Sequence, residues 1–160
     1  GYIHSWDELE WIDGAREAVA RLTEDGWLLF VATNQSGVAR GYYTESDVQL
    51  LHEQMNSSFR ELGGNITKFF YCPHLPGAPV KKYDVVCDCR KPAPGMIIRA
   101  INEYNLPKDQ VFLFGDSDRD IKAAEAAGIK GFLFDGTNLK DFVYQKLAGL
   151  GYRDNGKEDI

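Results

Sequence analysis

The stretch that decides the fold is Trp27-Leu28-Leu29-Phe30-Val31-Ala32-Thr33-Asn34-Gln35-Ser36-Gly37. Its first six residues form an unbroken apolar run, which is typical of a strand that is buried on both faces of a sheet. The hydroxyl, amide and glycine residues that follow could surround an anion with side chains and backbone N–H groups. The stretch therefore predicts a buried strand with a polar site at its carboxyl end, although a plain polar turn would have the same composition.

Strands and helices alternate along the rest of the sequence. Apolar spacing predicts helices over 15–22, 48–62, 94–104, 121–127 and 139–147, and strands over 27–32, 69–71, 111–114 and 131–134. Such alternation implies right-handed crossovers, so we expect a Rossmann-like three-layer α/β/α fold with one parallel sheet between two layers of helices. Ligands of such folds bind at the carboxyl ends of the strands, which directs attention to the segments after each strand.

Length and composition limit the classes of protein. The chain has 160 residues, and at roughly 150 residues per domain we expect a single domain over 1–160, with a frayed polar tail after Arg153. Its net charge of −6 argues against partners such as nucleic acid or an anionic membrane surface, and no apolar run approaches the roughly twenty residues of a membrane span. Three cysteines are an odd number for a disulfide framework, so we expect a reducing compartment and a cytoplasmic monomer.

All three cysteines and one histidine lie close together in the sequence. Cys72 and His74 form one pair and Cys87 and Cys89 form another, which gives three thiols and one imidazole. These soft donors suit a tetrahedral zinc ion, and four protein ligands leave no open coordination position. We therefore predict a structural zinc that fixes the loop 72–89. The alternative is a set of ordinary thiols beside a histidine.

Three carboxylates follow the predicted strand 111–114. They belong to Asp116, Asp118 and Asp120, and carboxylate oxygens are ligands that Mg²⁺ prefers. We expect a magnesium site at this strand end. The alternative is a helix start, with Ser117 or Asp118 as the N-cap and the acidic residues favoured by the helix dipole.

Two cations directly follow the predicted zinc ligands. Arg90 and Lys91 precede the predicted helix 94–104, and a loop fixed by zinc would hold both of them in place. Taken alone they would also fit a solvated basic pair. Together with the polar residues after the first strand and the carboxylates after the third, they predict a phosphate site with its metal.

The order of these motifs is similar to that of a known family. Thr-Asn-Gln-Ser-Gly after a strand, then Cys-Arg-Lys-Pro, then Gly-Asp-Ser with a second Asp four residues after the first, resemble motifs two, three and four of the haloacid dehalogenase superfamily of phosphatases. Cys-Pro-His and Cys-Asp-Cys narrow the resemblance to the heptose bisphosphate and histidinol-phosphate phosphatases. The twelve residues between His74 and Cys87 resemble the longer spacer of the heptose enzymes.

This resemblance implies a Mg²⁺-dependent phosphatase that forms an aspartyl-phosphate and acts on a small phosphosugar. The expected substrate is the 7-phosphate of a heptose 1,7-bisphosphate, a precursor of lipopolysaccharide, with histidinol phosphate as the alternative. The resemblance assigns Asp116 to Mg²⁺, Thr33 and Lys91 to the transferring phosphoryl group, and Arg90 to the rest of the substrate. Three further residues would line the pocket, largely through backbone groups: Asn34, Gln35 and Ser36.

Motif one of the superfamily, an Asp-x-Asp-Gly pair after the first strand, has no counterpart in the sequence. Asp116-Ser117-Asp118 has the right spacing, but it comes last in order and lacks the glycine. In the superfamily that first strand lies in the middle of the sheet, so we expect it and the nucleophile to lie before Gly1, and the 160 residues alone to be marginally stable. Two other classes stay open: an inactive phosphosugar-binding protein and a zinc-stabilised binding module.

Overall fold

The computed structural model describes residues 12–153. Its helices are α1 (Ala15–Glu24), α2 (Glu45–Glu61), α3 (Gly95–Tyr104), α4 (Asp118–Ala127) and α5 (Leu139–Gly149). Its strands are β1 (Phe30–Asn34), β2 (Lys68–Cys72), β3 (Phe112–Gly115) and β4 (Lys130–Leu133). The predicted alternation of strands and helices is confirmed. The predicted frayed tail after Arg153 lies outside the described residues.

Helix α2 begins at a capping box and buries one apolar stripe. The backbone N–H of Asp47 donates to Thr44 Oγ1 over 3.1 Å, and the N–H of Thr44 donates to Asp47 Oδ2 over 2.9 Å. Residues at helical spacing along α2 then enter a core with Ile66; they are Leu51, Met55 and Phe59. Leu62, which was predicted to end this stripe, follows the helix and is 47% exposed.

Strand β1 differs from its prediction in extent and in burial. It begins at Phe30 rather than at Trp27, all five of its residues are half-buried, and Leu28 is 53% exposed. Parallel pairing with β2 sets these limits, because the register runs from Phe30 opposite Lys68 to Asn34 opposite Cys72. The expectation of a strand buried on both faces is therefore wrong for the described part of the chain.

The four described strands form two parallel pairs rather than one continuous sheet. β1 pairs with β2, and β3 pairs with β4, without a ladder between β1 and β3 in residues 12–153. The carboxyl ends of β1 and β3 nevertheless carry the two polar segments that the sequence singles out, Thr33–Ser36 and 115–120.

Helix α3 joins the two halves of the core. Met96 and Ala100 pack with Phe70 on the side of β2, whereas Ile97 and Ile101 pack with the alanine face of α4. Helix α1 packs against α5. Of the helices in residues 12–153, none is both long and apolar enough to cross a membrane.

Candidate active site and metal centre

A buried ion pair connects the carboxyl ends of β1 and β3. The Lys91 ammonium donates to the carbonyl oxygen of Ala32 over 2.9 Å and pairs with Asp120 Oδ1. The side chains of Lys91 and Asp120 are only 13% and 8% exposed. The structure therefore brings Lys91, a predicted phosphate ligand, next to both strand ends.

Asp120, which was predicted as one of three carboxylates at a magnesium site, pairs with Lys91 instead. Its Oδ2 accepts from the backbone N–H and the hydroxyl of Ser117, each over 3.1 Å. Burial raises the pKa of Asp120, but the Lys91 ammonium and the Ser117 donors outweigh burial, so the net pKa is lowered and the carboxylate stays ionised. The signal in the sequence was its position four residues after Asp116, at the first turn of α4.

The three carboxylates at this strand end do not form a cluster, which corrects one prediction. Asp120 is committed to Lys91, Asp118 pairs with Lys122 over 3.0 Å, and Asp116 is exposed. The alternative of a helix start is confirmed, because Ser117 is the N-cap of α4. Among the described residues, a group of three or more potential metal ligands is formed by the cysteines and a histidine and not by these carboxylates. The role of Asp116 toward Mg²⁺ stays a prediction.

Asn34 clamps the segment that carries Lys91. Its Oδ1 accepts from the Lys91 N–H over 2.9 Å, and its Nδ2 donates to the Lys91 carbonyl over 3.1 Å. The side-chain amide thus copies a backbone ladder between β1 and the Cys-Arg-Lys-Pro segment. Asn34 lies in the predicted site, but its side chain positions Lys91 rather than an anion.

Gln35 and Ser36 lie behind Thr33 and are 2% and 0% exposed. The backbone N–H of Gln35 donates to the Cys72 carbonyl over 2.8 Å, so this N–H is not available for an anion, contrary to the predicted backbone role. The Gln35 side chain instead donates from Nε2 to Thr33 Oγ1 over 3.1 Å. The side chain of Thr33 is half-buried, and its hydroxyl can donate a hydrogen bond to phosphate.

Arg90 has a buried donor without an acceptor. Its Nη1 is shielded from solvent and has no hydrogen-bond partner in the described structure. An unsatisfied buried donor costs about 1 to 3 kcal/mol, more for a charged group, so such groups are rare unless a ligand completes them.

The four predicted zinc ligands converge. One donor atom from each of Cys72, His74, Cys87 and Cys89 lies within 4.8 Å of the others. Cys87 Sγ is 3.5 Å from Cys72 Sγ and 3.4 Å from Cys89 Sγ, and His74 Nδ1 is 3.6 Å and 3.4 Å from the same two sulfurs. Tetrahedral zinc with ordinary bond lengths needs donors about 3.3 to 3.8 Å apart, and these four separations fall within that range.

The cluster also has a feature that the sequence analysis did not expect. The structure joins Cys72 to Cys89 as a disulfide and leaves Cys87 as the free thiol. A thiol in a disulfide cannot act as a thiolate ligand, so the disulfide and the four-ligand zinc site are mutually exclusive states of the same residues.

The loop that contains the cluster is tied to the start of α2. Both carboxylate oxygens of Glu45 accept from phenols, over 2.9 Å from Tyr71 and over 2.6 Å from Tyr83. The bond from Tyr83 is the main cause that lowers the pKa of Glu45, and the same bond raises the pKa of Tyr83 to about 12. Glu45 therefore links α2, the end of β2 and the loop that leads to Arg90 and Lys91.

Comparisons with known proteins agree with this site. A family model described as HAD-hydrolase-like matches residues 88–139. The D-glycero-beta-D-manno-heptose-1,7-bisphosphate 7-phosphatase of Rhodopseudomonas palustris is 39% identical over 149 residues, which cover 93% of this chain and 83% of that protein. The enzyme of the same name from Escherichia coli is 36% identical over 159 residues, with 94% and 83% covered.

A solved structure extends the similarity to three dimensions. The D,D-heptose 1,7-bisphosphate phosphatase from B. bronchiseptica, crystallised with magnesium and phosphate, aligns with a TM-score of 0.76 and 32% identity over 92% of this chain and 89% of that one. The resemblance and the α/β fold inferred from the sequence are both confirmed. The chain belongs to the D-glycero-beta-D-manno-heptose-1,7-bisphosphate 7-phosphatase family of haloacid dehalogenase-like phosphatases.

Proposed function

We propose that the protein hydrolyses the 7-phosphate of D-glycero-D-manno-heptose 1,7-bisphosphate. The observation that carries the proposal is the Lys91 ammonium, held by Asp120 and the Ala32 carbonyl at the ends of β1 and β3. Phosphoryl transfer through a loose transition state depends on positioned cations and hydrogen-bond donors. Lys91 supplies the cation and Thr33 supplies the hydroxyl.

Arg90 supports a substrate with a second anionic group. The family resemblance assigns Arg90 to the rest of the substrate, and a guanidinium beside Lys91 could hold a second phosphate with charge-assisted hydrogen bonds. Histidinol phosphate has no second phosphate. The bisphosphate therefore fits this site better than the alternative substrate.

The proposal includes two metals. Asp116 would hold a Mg²⁺ ion, which when bound would neutralise charge on the transferring group. A structural zinc would be held by Cys72, His74, Cys87 and Cys89. Zinc binding requires reduced cysteines, which supports a reducing, cytoplasmic location. The side chains of Lys91, Thr33 and Arg90 then bind and orient the substrate. The attacking carboxylate is not assigned to a residue of this chain, because the 160 residues contain no Asp-x-Asp-Gly pair.

The test is phosphate release by the protein produced with the residues that its gene encodes before Gly1. We expect Mg²⁺-dependent release from heptose 1,7-bisphosphate, much faster than from histidinol phosphate, and none from residues 1–160 alone. Equal rates on both substrates would contradict the role of Arg90. Turnover by residues 1–160 alone would mean that a carboxylate within them is the nucleophile, with Asp116 the first to replace.

A second candidate is an inactive phosphosugar-binding protein. It is favoured by the lack of an Asp-x-Asp-Gly pair within residues 12–153. Binding of the bisphosphate without any turnover, in protein that includes the upstream residues, would support this candidate instead.

A further inference from the structure

A chain of hydrogen bonds runs behind Thr33 through side chains that the proposed reaction does not use. The Tyr43 hydroxyl donates to Gln35 Oε1 over 2.6 Å, and Gln35 Nε2 donates to Thr33 Oγ1 over 3.1 Å. Gln35 is 2% exposed, so water does not compete for its amide, and a buried amide must find partners within the protein.

The two distances fix which way the Gln35 amide faces. A separation of 2.6 Å is usual for O–H···O and too short for N–H···O, whereas 3.1 Å is ordinary for N–H···O. The amide oxygen therefore faces Tyr43 and the amide nitrogen faces Thr33. Tyr43 sets this orientation because a phenol has a hydrogen to donate to the amide oxygen.

The orientation of the amide decides what the Thr33 hydroxyl can do. Because Thr33 Oγ1 accepts from Gln35, its own hydrogen is available to another acceptor. Its acceptor in the described structure is the Asn34 carbonyl at 3.4 Å, which is at the long limit for an O–H···O bond. A phosphate oxygen could take over this hydrogen at little cost.

The Tyr43 ring is held close to the turn. A Cβ atom at Gly37 would lie 2.6 Å from the Tyr43 hydroxyl oxygen, so the ring packs where only glycine leaves room. Val38 and Ala39, which follow in the same turn, are 3% and 0% exposed. Tyr43 also directly precedes Thr44, the N-cap of α2, so the start of that helix fixes its backbone.

We propose that Tyr43 is a positioning residue, which acts through the Gln35 amide to keep the Thr33 hydroxyl a donor toward bound phosphate. The proposal rests on the proposed function, which assigns phosphate to Thr33. Without the Tyr43 hydroxyl, the amide is free to turn its oxygen toward Thr33. The oxygen then accepts the hydrogen that phosphate needs.

The test measures binding of inorganic phosphate to the intact, metal-loaded protein by calorimetry. Tyr43→Phe should weaken binding about threefold to tenfold, as expected for one neutral hydrogen bond, and should lower the melting temperature by a few degrees because the buried Gln35 amide loses a partner. Tyr42→Phe is the matched control, because Tyr42 is the neighbouring residue, is 65% exposed and loses the same hydroxyl. It should bind phosphate like the wild type.

A double-mutant cycle separates positioning from a general structural effect. Thr33→Val should weaken phosphate binding by about tenfold to a hundredfold, and Tyr43→Phe should then add nothing. In the Thr33→Ser background, which keeps a hydroxyl, the effect of Tyr43→Phe should return. A Tyr43→Phe effect of equal size in the Val and Ser backgrounds would overturn the proposal.

Two other outcomes distinguish this proposal from the proposed function. If Thr33→Val weakens phosphate binding but Tyr43→Phe does not, the positioning role is wrong and the phosphate site stands. If Thr33→Val leaves phosphate binding unchanged, the assignment of phosphate to Thr33 is wrong, and the role of Tyr43 falls with it.

Discussion

Lys91 and Asp120 pair across the space between β1 and β3, with 13% and 8% of their side chains exposed. The pair connects the Cys-Arg-Lys-Pro segment to the first turn of α4, and the Ala32 carbonyl adds a contact to β1. Removing one partner of a buried pair leaves the other charge without compensation, which costs more than a surface pair ever contributes. We therefore expect both the folding stability and the proposed phosphate binding to depend on the Lys91–Asp120 pair.

Asp120→Asn should lower the free energy of unfolding by about 3 kcal/mol, the lower end of the range for breaking a buried pair, because Asn retains an acceptor. Phosphate affinity should fall as Lys91 loses its fixed position. Asp118→Asn is the control, since Asp118 makes an exposed pair with Lys122 and should change stability by less than about 0.5 kcal/mol. Chemical denaturation measures the free energy of unfolding of both variants. Equal decreases in the two variants would contradict the importance of the Lys91–Asp120 pair.

Asn34→Asp should weaken phosphate binding about tenfold, because a carboxylate cannot donate to the Lys91 carbonyl and Lys91 would lose its clamp. Asn56 offers a matched control far from the site. Its amide makes the same two bonds to the backbone of Ile66, over 2.7 Å and 3.3 Å. Asn56→Asp should destabilise the protein by a similar amount and leave phosphate affinity unchanged when both are measured by calorimetry.

His52 should make stability depend on pH. Burial lowers its pKa from 6.5 to about 4, and the ring stacks on Phe69 at 4.4 Å. Between these two values the unfolded chain binds more protons than the folded one, so the free energy of unfolding falls as the pH drops from 6.5 toward 4, by up to about 1.4 kcal/mol per pH unit.

The measurement for His52 compares the wild type with His52→Phe in denaturant at about pH 7.5 and about pH 5. The variant keeps an aromatic ring against Phe69 but has no proton to bind. Its stability should fall less than that of the wild type over this range, because other groups contribute equally to both proteins. Parallel pH profiles would contradict the lowered pKa.

Purified protein should contain one zinc per chain and show three titratable thiols after unfolding with a chelator and without a reductant. A Cys72–Cys89 disulfide would leave one thiol, that of Cys87, and no zinc bound by the four ligands. Cys87→Ser should release the metal and lower the melting temperature. Val86→Ser, at a neighbouring position that is 88% exposed, should retain the metal and serve as the control.

The sequence predicted the elements whose signals are local. The Thr44–Asp47 capping box and the apolar stripe behind it were sufficient for α2, and the two Cys/His pairs were sufficient to predict their convergence. Strand β1 was predicted too early, because the apolar run from Trp27 does not reveal where pairing with β2 begins. The register of a parallel pair depends on residues distant in the sequence.

The position of the site was predicted from the sequence, but the roles of several of its residues were not. We expected Asp116, Asp118 and Asp120 to act together, but the structure places them in three different environments. The role of Tyr43 was not predicted, and Asp120 was expected to hold Mg²⁺ rather than Lys91. Both roles arise from contacts with Gln35 and Lys91 that no spacing rule expresses. The residue types were sufficient to predict phosphate and metal binding. Which partner each side chain contacts depends on tertiary structure and could not be predicted.

The position of the metal ligands has a consequence for how this protein could diverge. Cys89 is two residues from Lys91. An insertion of one residue between them would move the Lys91 ammonium away from Asp120 and from the proposed phosphate site. Between His74 and Cys87, by contrast, the end of the segment is exposed, and Val85 and Val86 are 39% and 88% exposed. Changes of length are tolerated in such exposed segments. Evolution can therefore vary that spacer, and with it the shape of the loop's outer surface, while the phosphate-binding groups keep their positions.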